Sequence, residues 1–388
     1  MKNNKLLFIL ITIAILIKVF LFIFGVIWAP HMKIESDSGT YLELAKGLYS
    51  KGAFATVDAK GVLQPEMFRT PGYPVFVSLL HEVAKIPLDG VVLVQVLLTC
   101  LTAWLVYKIA LQLEARIALL SVVICLLDVP STMWSLQLVT EALFTLILTL
   151  VVLMFVLYLK KADTRFLIFS ALLLALATYV RPISYFLGIP VALFVVYANA
   201  PKDLKKAFVH AVVFGAIVFS LLGLWSIRNY HCCKTTVFSG VSSFVDQEYS
   251  IKGIYAKERY PQKPGVPNAV YYTEIAVRSL STMMCNPGSW KYLRNPVLAP
   301  IGKVLAYLFM FFWMPCLITG IFRIGRNIYF QFLALVAAYF IAVTVYAVGL
   351  VGNERFRVVI WPCISIISAY GWLHLKHIIQ SYRRKERT

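Results

Sequence analysis

"LLFILITIAILIKVFLFIFGVIW", residues 6–28, carries a single charge, Lys18, and decides the class of fold. About 20 apolar residues in helical form cross the hydrocarbon core of a bilayer, and this run is long enough. It exceeds the apolar region of a secretory signal and is followed by no A-x-A-like cleavage site, so a retained spanning helix with a cytoplasmic amino terminus is expected. Lys18, midway along it, requires a partner facing the bundle or a long reach to the interface.

Comparable runs recur through the 388 residues, of which 60% are hydrophobic and 14% charged. Candidate spans fall at 90–111, 116–128, 136–159, 165–181, 183–199, 206–227, 302–322, 328–350 and 357–375, giving about ten helices with the first. The expected fold class is an all-α polytopic membrane protein, with residues 1–388 forming one integral membrane domain. Its net charge of +19 is spread along the chain at the ends of apolar runs, which fits membrane topology and not nucleic-acid binding. With the amino terminus inside, every short inward segment is basic: Arg116; Lys160, Lys161 and Arg165; Lys202, Lys205 and Lys206; Arg323 and Arg326; and the tail "YRRKERT". The carboxyl terminus is then cytoplasmic as well.

Two segments are too long and polar to be connectors, residues 29–89 and 228–301, and both emerge on the outer face. In the first, Tyr41, Leu44, Ala45 and Leu48 recur at helical spacing opposite Glu43, Lys46 and Ser50, describing a short interfacial helix. "TPGYPVFVSLLHEVAKI", residues 70–86, is a Pro- and Gly-rich turn followed by an apolar stretch too short to span, an interfacial or re-entrant piece. In the second, Lys234, Lys252, Lys257, Arg259, Lys263, Arg278, Lys291 and Arg294 outnumber Asp246, Glu248, Glu258 and Glu274, with tyrosines interleaved. Most of this segment reads as a solvated loop, but tyrosine faces stack on sugar rings and the excess positive charge suits an anionic acceptor or the headgroup layer. Of seven cysteines, Cys100, Cys125, Cys316 and Cys363 lie in apolar runs as packing residues. Cys232, Cys233 and Cys285 share the outer segment, where Cys285 could bridge to one of the adjacent pair.

Asp37 stands between Ser36 and Ser38, two residues after Glu35. It reads either as a cap for the interfacial helix or as a carboxylate placed at the membrane boundary to take a proton from a hydroxyl acceptor. The acid-x-acid spacing of Glu35 and Asp37 could also hold a divalent cation. Arg69, Arg181, Arg228, Arg355 and Arg357 all fall on the outer side, where orientation needs no positive charge. Some would be snorkelling anchors, but a shared anionic ligand such as a lipid-linked phosphate explains the set, since guanidinium grips phosphate in a two-pronged way. Glu141 opens a span and either favours the helix dipole, pairs with one of these arginines or meets a sugar hydroxyl. No Gly-rich phosphate cradle, nucleophile elbow or zinc spacing is present, which argues against a nucleotide-driven pump or membrane hydrolase.

Taken in order, "ESDSGTYLELAKGLYSKGAF", "FRTPGYPVFVSLL", "TEALFTLILTL", "ALATYVRPISYF" and "NERFRVVIWP" resemble the bacterial branch of membrane-embedded C-type glycosyltransferases. These are relatives of the dolichyl-phosphate-mannose protein mannosyltransferases and of the lipid A aminoarabinose transferase. The resemblance implies an inverting enzyme of the inner (plasma) membrane that takes a sugar from a polyprenyl-phosphate carrier and gives it to a hydroxyl acceptor at the outer face. It implies Asp37 as the base and Arg69, Arg181, Arg355 and Arg357 as ligands of the donor phosphate. Glu35, Tyr41, Tyr73, Glu141 and Arg228 are further candidates for substrate contact. Phe356 stands where the family often has a tyrosine after arginine, so a hydroxyl contact is absent there. Only a short basic tail follows the last span, so acceptor recognition is expected to fall to the outer loops. A transporter or flippase for a lipid-linked saccharide would need similar arginines, but transporters often carry repeats and midplane ionisable groups. No repeat is visible and Lys18 is the one midplane group. An envelope polysaccharide polymerase fits the early acid and the Pro-Gly-Tyr-Pro turn less well.

Overall fold

The computed structural model describes residues 2–57, 61–288, 298–351 and 354–385. Lys291 and Arg294, of the basic set in the second outer segment, lie outside them. The chain is built from α1 (Lys2–Trp28), α2 (Ser38–Lys51), α3 (Gly72–Val77), α4 (Leu88–Leu113), α5 (Ala118–Leu126), α6 (Val129–Ser135), α7 (Glu141–Lys161) and α8 (Thr164–Val180). There follow α9 (Gly188–Asn199), α10 (Leu204–Cys233), α11 (Gly240–Glu248), α12 (Ile254–Arg259), α13 (Asn268–Cys285), α14 (Leu298–Arg323), α15 (Ile328–Ala347) and α16 (Glu354–Lys385). Among the described residues the only sheet is a two-stranded hairpin, β1 (Ala55–Val57) against β2 (Leu63–Pro65).

Eight helices among the described residues are long and apolar enough to cross a membrane, and nine spans result if the bent pair α5 and α6 counts as one. The expectation of about ten is met only by adding α8, whose apolar length stops at 17 residues. The chain turns there because Arg181, already in extended conformation, is followed by Pro182, and the residue before a proline is pushed out of the helical region. The short span expected at 116–128 ends at a break: α5 stops at Leu126 and α6 leaves it at 56°. Asp128 makes the break, its carboxylate accepting from the Ser131 N–H at 2.9 Å, while Pro130 in the first turn of α6 has no N–H to continue the ladder. The backbone freed near this break is paired from neighbouring elements. Gln95 on α4 donates through Nε2 to the carbonyls of Ser135, at 3.2 Å, and Gln137, at 2.5 Å. The Tyr73 hydroxyl in turn donates to Gln95 Oε1 at 2.6 Å. Lys18 finds its partner here too, donating through Nζ to Thr132 Oγ1 at 2.6 Å.

The core runs along α7 and α16, each with 72% of its apolar window buried, whereas α1 has 11% and lies at the rim. The interfacial helix α2 forms where its apolar spacing placed it, burying Tyr41, Leu44 and Ala45. The stretch from residue 70 folds as α3 running into a π-helical turn, Ser78–Val83. Gly72 lets α3 press on the end of α8, since a Cβ there would sit 2.7 Å from the Tyr179 carbonyl. The second outer segment is more helical than a solvated loop: α10 carries on to Cys233, and α11, α12 and α13 follow. Cys232, Cys233 and Cys285 are free thiols, so the expected bridge is not formed.

The helices α14 and α16 touch backbone to backbone at Gly320 and Gly371, where a Cβ on Gly371 would fall inside the Cys316 carbonyl. Small residues let membrane helices approach this closely. Gly371→Val should part them and lower the thermal midpoint of the detergent-solubilised protein by several degrees. Gly215→Ala, where a Cβ meets nothing within 4 Å, should leave the midpoint unchanged or raise it.

Candidate active site

Four segment ends far apart in sequence converge. They are the start of α2, the turn before α3, the junction of α7 with α8's far end, and the start of α16. Asp37 occupies the N-cap position of α2 but makes no side-chain cap bond. Its Oδ1 accepts from Arg69 Nη2 at 2.7 Å and its Oδ2 from Arg355 Nη2 at 3.1 Å. The capping explanation of Asp37 therefore fails, because both oxygens are turned to guanidinium groups. Arg355 also donates through Nε to Glu141 Oε1, and Arg181 donates to that same oxygen at 2.6 Å. Asp37, Arg355, Glu141 and Arg181 thus form one chain of ion pairs, with Arg69 at its outer end.

Local structure explains why each side chain points inward. The Glu66 carboxylate accepts from the backbone N–H groups of both Phe68 and Arg69, closing the turn that aims Arg69. Ser239 donates to the Phe68 carbonyl at 2.7 Å, and Thr70 to the Val180 carbonyl at 3.3 Å, tying this turn to the residue before Arg181. Aromatic faces support the cations: Tyr41 and Phe68 under Arg69, Trp134 under Arg355 at 4.9 Å, and Phe356 with Phe144 beside Arg181. Phe356 thus packs against a guanidinium face.

The remaining candidates are placed elsewhere. Arg357 is 3% exposed and faces away from the cluster. It donates to the Met284 and Asn286 carbonyls and to Asp128 at 3.4 Å, between the rings of Trp313 and Trp361. It joins the end of α13 to the broken span, apart from the Asp37 cluster in which a phosphate ligand is expected. Arg228 holds the hairpin, donating to the carbonyls of Phe54 at 2.8 Å and Glu66 at 2.5 Å. Tyr73 is fully buried beneath Tyr41 with its hydroxyl spent on Gln95. The Glu35 backbone N–H donates to Ser38 Oγ at 2.9 Å, fixing the entry to α2. Sequence reasoning passed over Asp128, Trp134 and Glu66; an acid two residues before a proline in an apolar run, and an acid three residues before an arginine, were the available signals.

The cluster sets two carboxylates against three guanidinium groups, a surplus of one positive charge. Among the described residues no group of three His, Cys, Asp or Glu side chains could hold a metal ion. With both Asp37 oxygens on arginines and one positive charge in surplus, the donor set suits an anion. Arg69 Nε is buried without a hydrogen-bond partner, a donor whose desolvation costs about 1–3 kcal/mol until an acceptor meets it. Burial alone would push the Asp37 carboxyl up, but the charges of Arg355 and Arg69 and their hydrogen bonds outweigh it and hold the group below the ordinary carboxylate range. Burial pushes the Tyr41 phenol up, so it stays protonated.

Two of these features are measurable. A depressed carboxyl contributes stability above its unfolded pKa, about 3.9, and loses it as pH falls through the folded value. The difference in thermal midpoint between wild type and Asp37→Asn should therefore be constant at neutral pH and shrink below about pH 4. Glu141→Ala leaves part-buried Arg181 without its acid and Arg355 with Asp37 alone, and should cost about 3 kcal/mol, seen as a large fall in denaturation midpoint; Glu141→Gln should cost less.

Residues 68–225 match the family described as dolichyl-phosphate-mannose-protein mannosyltransferase. The match takes in Arg69, the Pro-Gly-Tyr-Pro turn, Glu141 and Arg181, and excludes Asp37 and Arg355. No curated protein matches the chain. Among solved structures, the apo oligosaccharyltransferase of Archaeoglobus fulgidus is 14% identical with a TM-score of 0.61, covering 98% of this chain and 52% of that one. Archaeoglobus fulgidus AglB, in complex with an inhibitory peptide and a dolichol-phosphate, is 11% identical with a TM-score of 0.59, covering 99% of this chain and 52% of that one. The chain thus spans about half the length of these proteins, and the likeness is one of fold. ArnT from Cupriavidus metallidurans bound to undecaprenyl phosphate aligns with 91% of this chain and 76% of that one at 13% identity, with a TM-score of 0.44, too low to carry an argument.

Proposed function

We propose that the chain is an inverting glycosyltransferase that moves a sugar from a polyprenyl-phosphate carrier to a hydroxyl acceptor at the outer face of the cell's inner membrane. The observation that carries this reading is the carboxylate of Asp37 gripped by Arg69 and Arg355, with Arg355 and Arg181 anchored on buried Glu141. The family match over residues 68–225 supports a lipid-phosphate donor, and the cationic surplus supports an anionic ligand.

In this reading the donor phosphate competes with Asp37 for the guanidinium groups. As Arg69 and Arg355 turn to the phosphate, the two influences that depress the Asp37 carboxyl weaken, so the base gains strength only when the donor is present. The acceptor oxygen attacks the anomeric carbon and passes its proton to Asp37. The bond from that carbon to the phosphate oxygen breaks, and its electron pair leaves with the carrier. Negative charge on the phosphate grows during this step, and Arg69, Arg355 and Arg181 sit where that growth is stabilised. Removing one such contact costs about 10²-fold or more in rate. Trp134 and Phe356 keep the guanidinium planes in place while their ionic partners exchange.

The test is mass spectrometry of polyprenyl-phosphate sugars from membranes lacking the protein and complemented with variants. One lipid-linked sugar should accumulate in the null and in Asp37→Asn and be consumed with wild type. Arg69→Ala should slow consumption about 10²-fold, whereas Arg357→Lys should spare turnover per folded molecule. Full consumption by Asp37→Asn would sink the assignment.

A further inference from the structure

Resting on that reading, we infer that a groove between α12 and α13 binds the acceptor, and that the acceptor is a saccharide bearing carboxylate or phosphate groups. The groove has a volume of ≈570 Å³, within the range of small-molecule sites, and is lined by Tyr255, Arg259, Tyr260, Arg278, Ser281 and Thr282. Its two arginines are laid against its two tyrosines. The Arg259 guanidinium carbon lies 5.9 Å from the Tyr255 ring centre and that of Arg278 lies 4.9 Å from the Tyr260 ring centre. Guanidinium forks seated on rings recognise planar anions, while tyrosine faces and hydroxyls suit sugar rings. Arg278 is paired with Glu274 at 2.8 Å, one helical turn away and exposed, a pair that a competing anion can replace.

The groove is a built part of the fold. Ala256, Tyr271 and Ile275 form a small core beneath it, and the Tyr271 hydroxyl donates to the Tyr260 carbonyl at 2.8 Å. Leu350, in the turn Gly349–Val351, packs against that core and also lines the groove. The unit is fastened to α15 by the Ile251 N–H donating to the Tyr346 carbonyl at 3.0 Å. Gly349 takes a φ of +49° under it, where a Cβ would sit 2.5 Å from the Tyr249 carbonyl. Leu350 is five residues from Arg355, and a chain of that length spans at most about 17 Å. In this inference a short oligosaccharide seated on Arg259 and Arg278 extends past Leu350 toward the Asp37 carboxylate.

The full chain in neutral phosphatidylcholine nanodiscs should be titrated calorimetrically with tetragalacturonate and with uncharged cellotetraose. Wild type should bind the acidic probe at least tenfold more tightly than the neutral one. The Arg259→Gln, Arg278→Gln double variant should lose about tenfold or more, the scale of charge-assisted hydrogen bonds. Should that variant misfold, Ser281→Glu, at an exposed position, should produce the same loss. Equal binding by wild type and the folded variants overturns the inference, as does a loss confined to phosphatidylglycerol vesicles. Asp37→Asn should bind tetragalacturonate like wild type. Intact binding with no sugar transfer by any protein would overturn the transferase reading and leave the groove standing.

Discussion

Arg355 is shared between two carboxylates that belong to different parts of the chain, Asp37 at the start of the short helix α2 and Glu141 at the start of a buried span. Taking such charges out of water is expensive, and their mutual attraction repays it only when the geometry is good on every side. The rest of the outer end is arranged to supply that geometry. The Glu66 turn aims Arg69, Gly72 brings α3 against α8, the proline after Arg181 stops α8 at the right height, and Trp134 faces the Arg355 plane. Each is a local device, and each becomes intelligible through the one guanidinium that must be held between two acids.

The apolar runs made the spans legible, because a bilayer demands length and continuity that no soluble helix needs. Asp37, Arg69, Glu141, Arg181 and Arg355 stood out in the sequence for a related reason: charge at the ends of spans is costly enough that its presence is informative. What stayed hidden was direction. Arg355 and Arg357 are separated by one residue, and nothing in "ERFRV" says that a helix turns them to opposite neighbours, one to Glu141 and one to Asp128. Asp37 was ambiguous for a different reason, since a cap and an ion-pair partner need the same short carboxylate, and only the position of Arg69 and Arg355 decides. That a short span stops at residue 128 just before Pro130 was legible; that the chain resumes as a second helix bent 56° from the first was not, because composition carries no angle.

Residues 228–288 are fastened to the last spans at two places. Arg357, through the Met284 and Asn286 carbonyls, and the Gly349 turn, through Tyr249 and Ile251, fix α13 and α12 to the last spans. A groove carried on such a unit keeps a fixed relation to the start of α16, where Arg355 stands. Recognition at a distance from the reacting atoms is useful only when that relation is rigid.

The pairing of Lys18 with Thr132 joins residues 114 positions apart, and so it also sets an order of events during synthesis. At about 5–20 residues per second, Lys18 precedes its partner by roughly 6 to 23 s. Through that interval α1 lies in lipid with a cation and no hydroxyl to receive it. The uniform apolarity of the helix is what a segment needs that must persist alone in the bilayer, and its exposed flanks in the finished fold are the trace of that waiting. Because α1 packs chiefly on α4 and α5, which precede α6 in the chain, the Lys18–Thr132 bond is a late tie on a helix that already has neighbours.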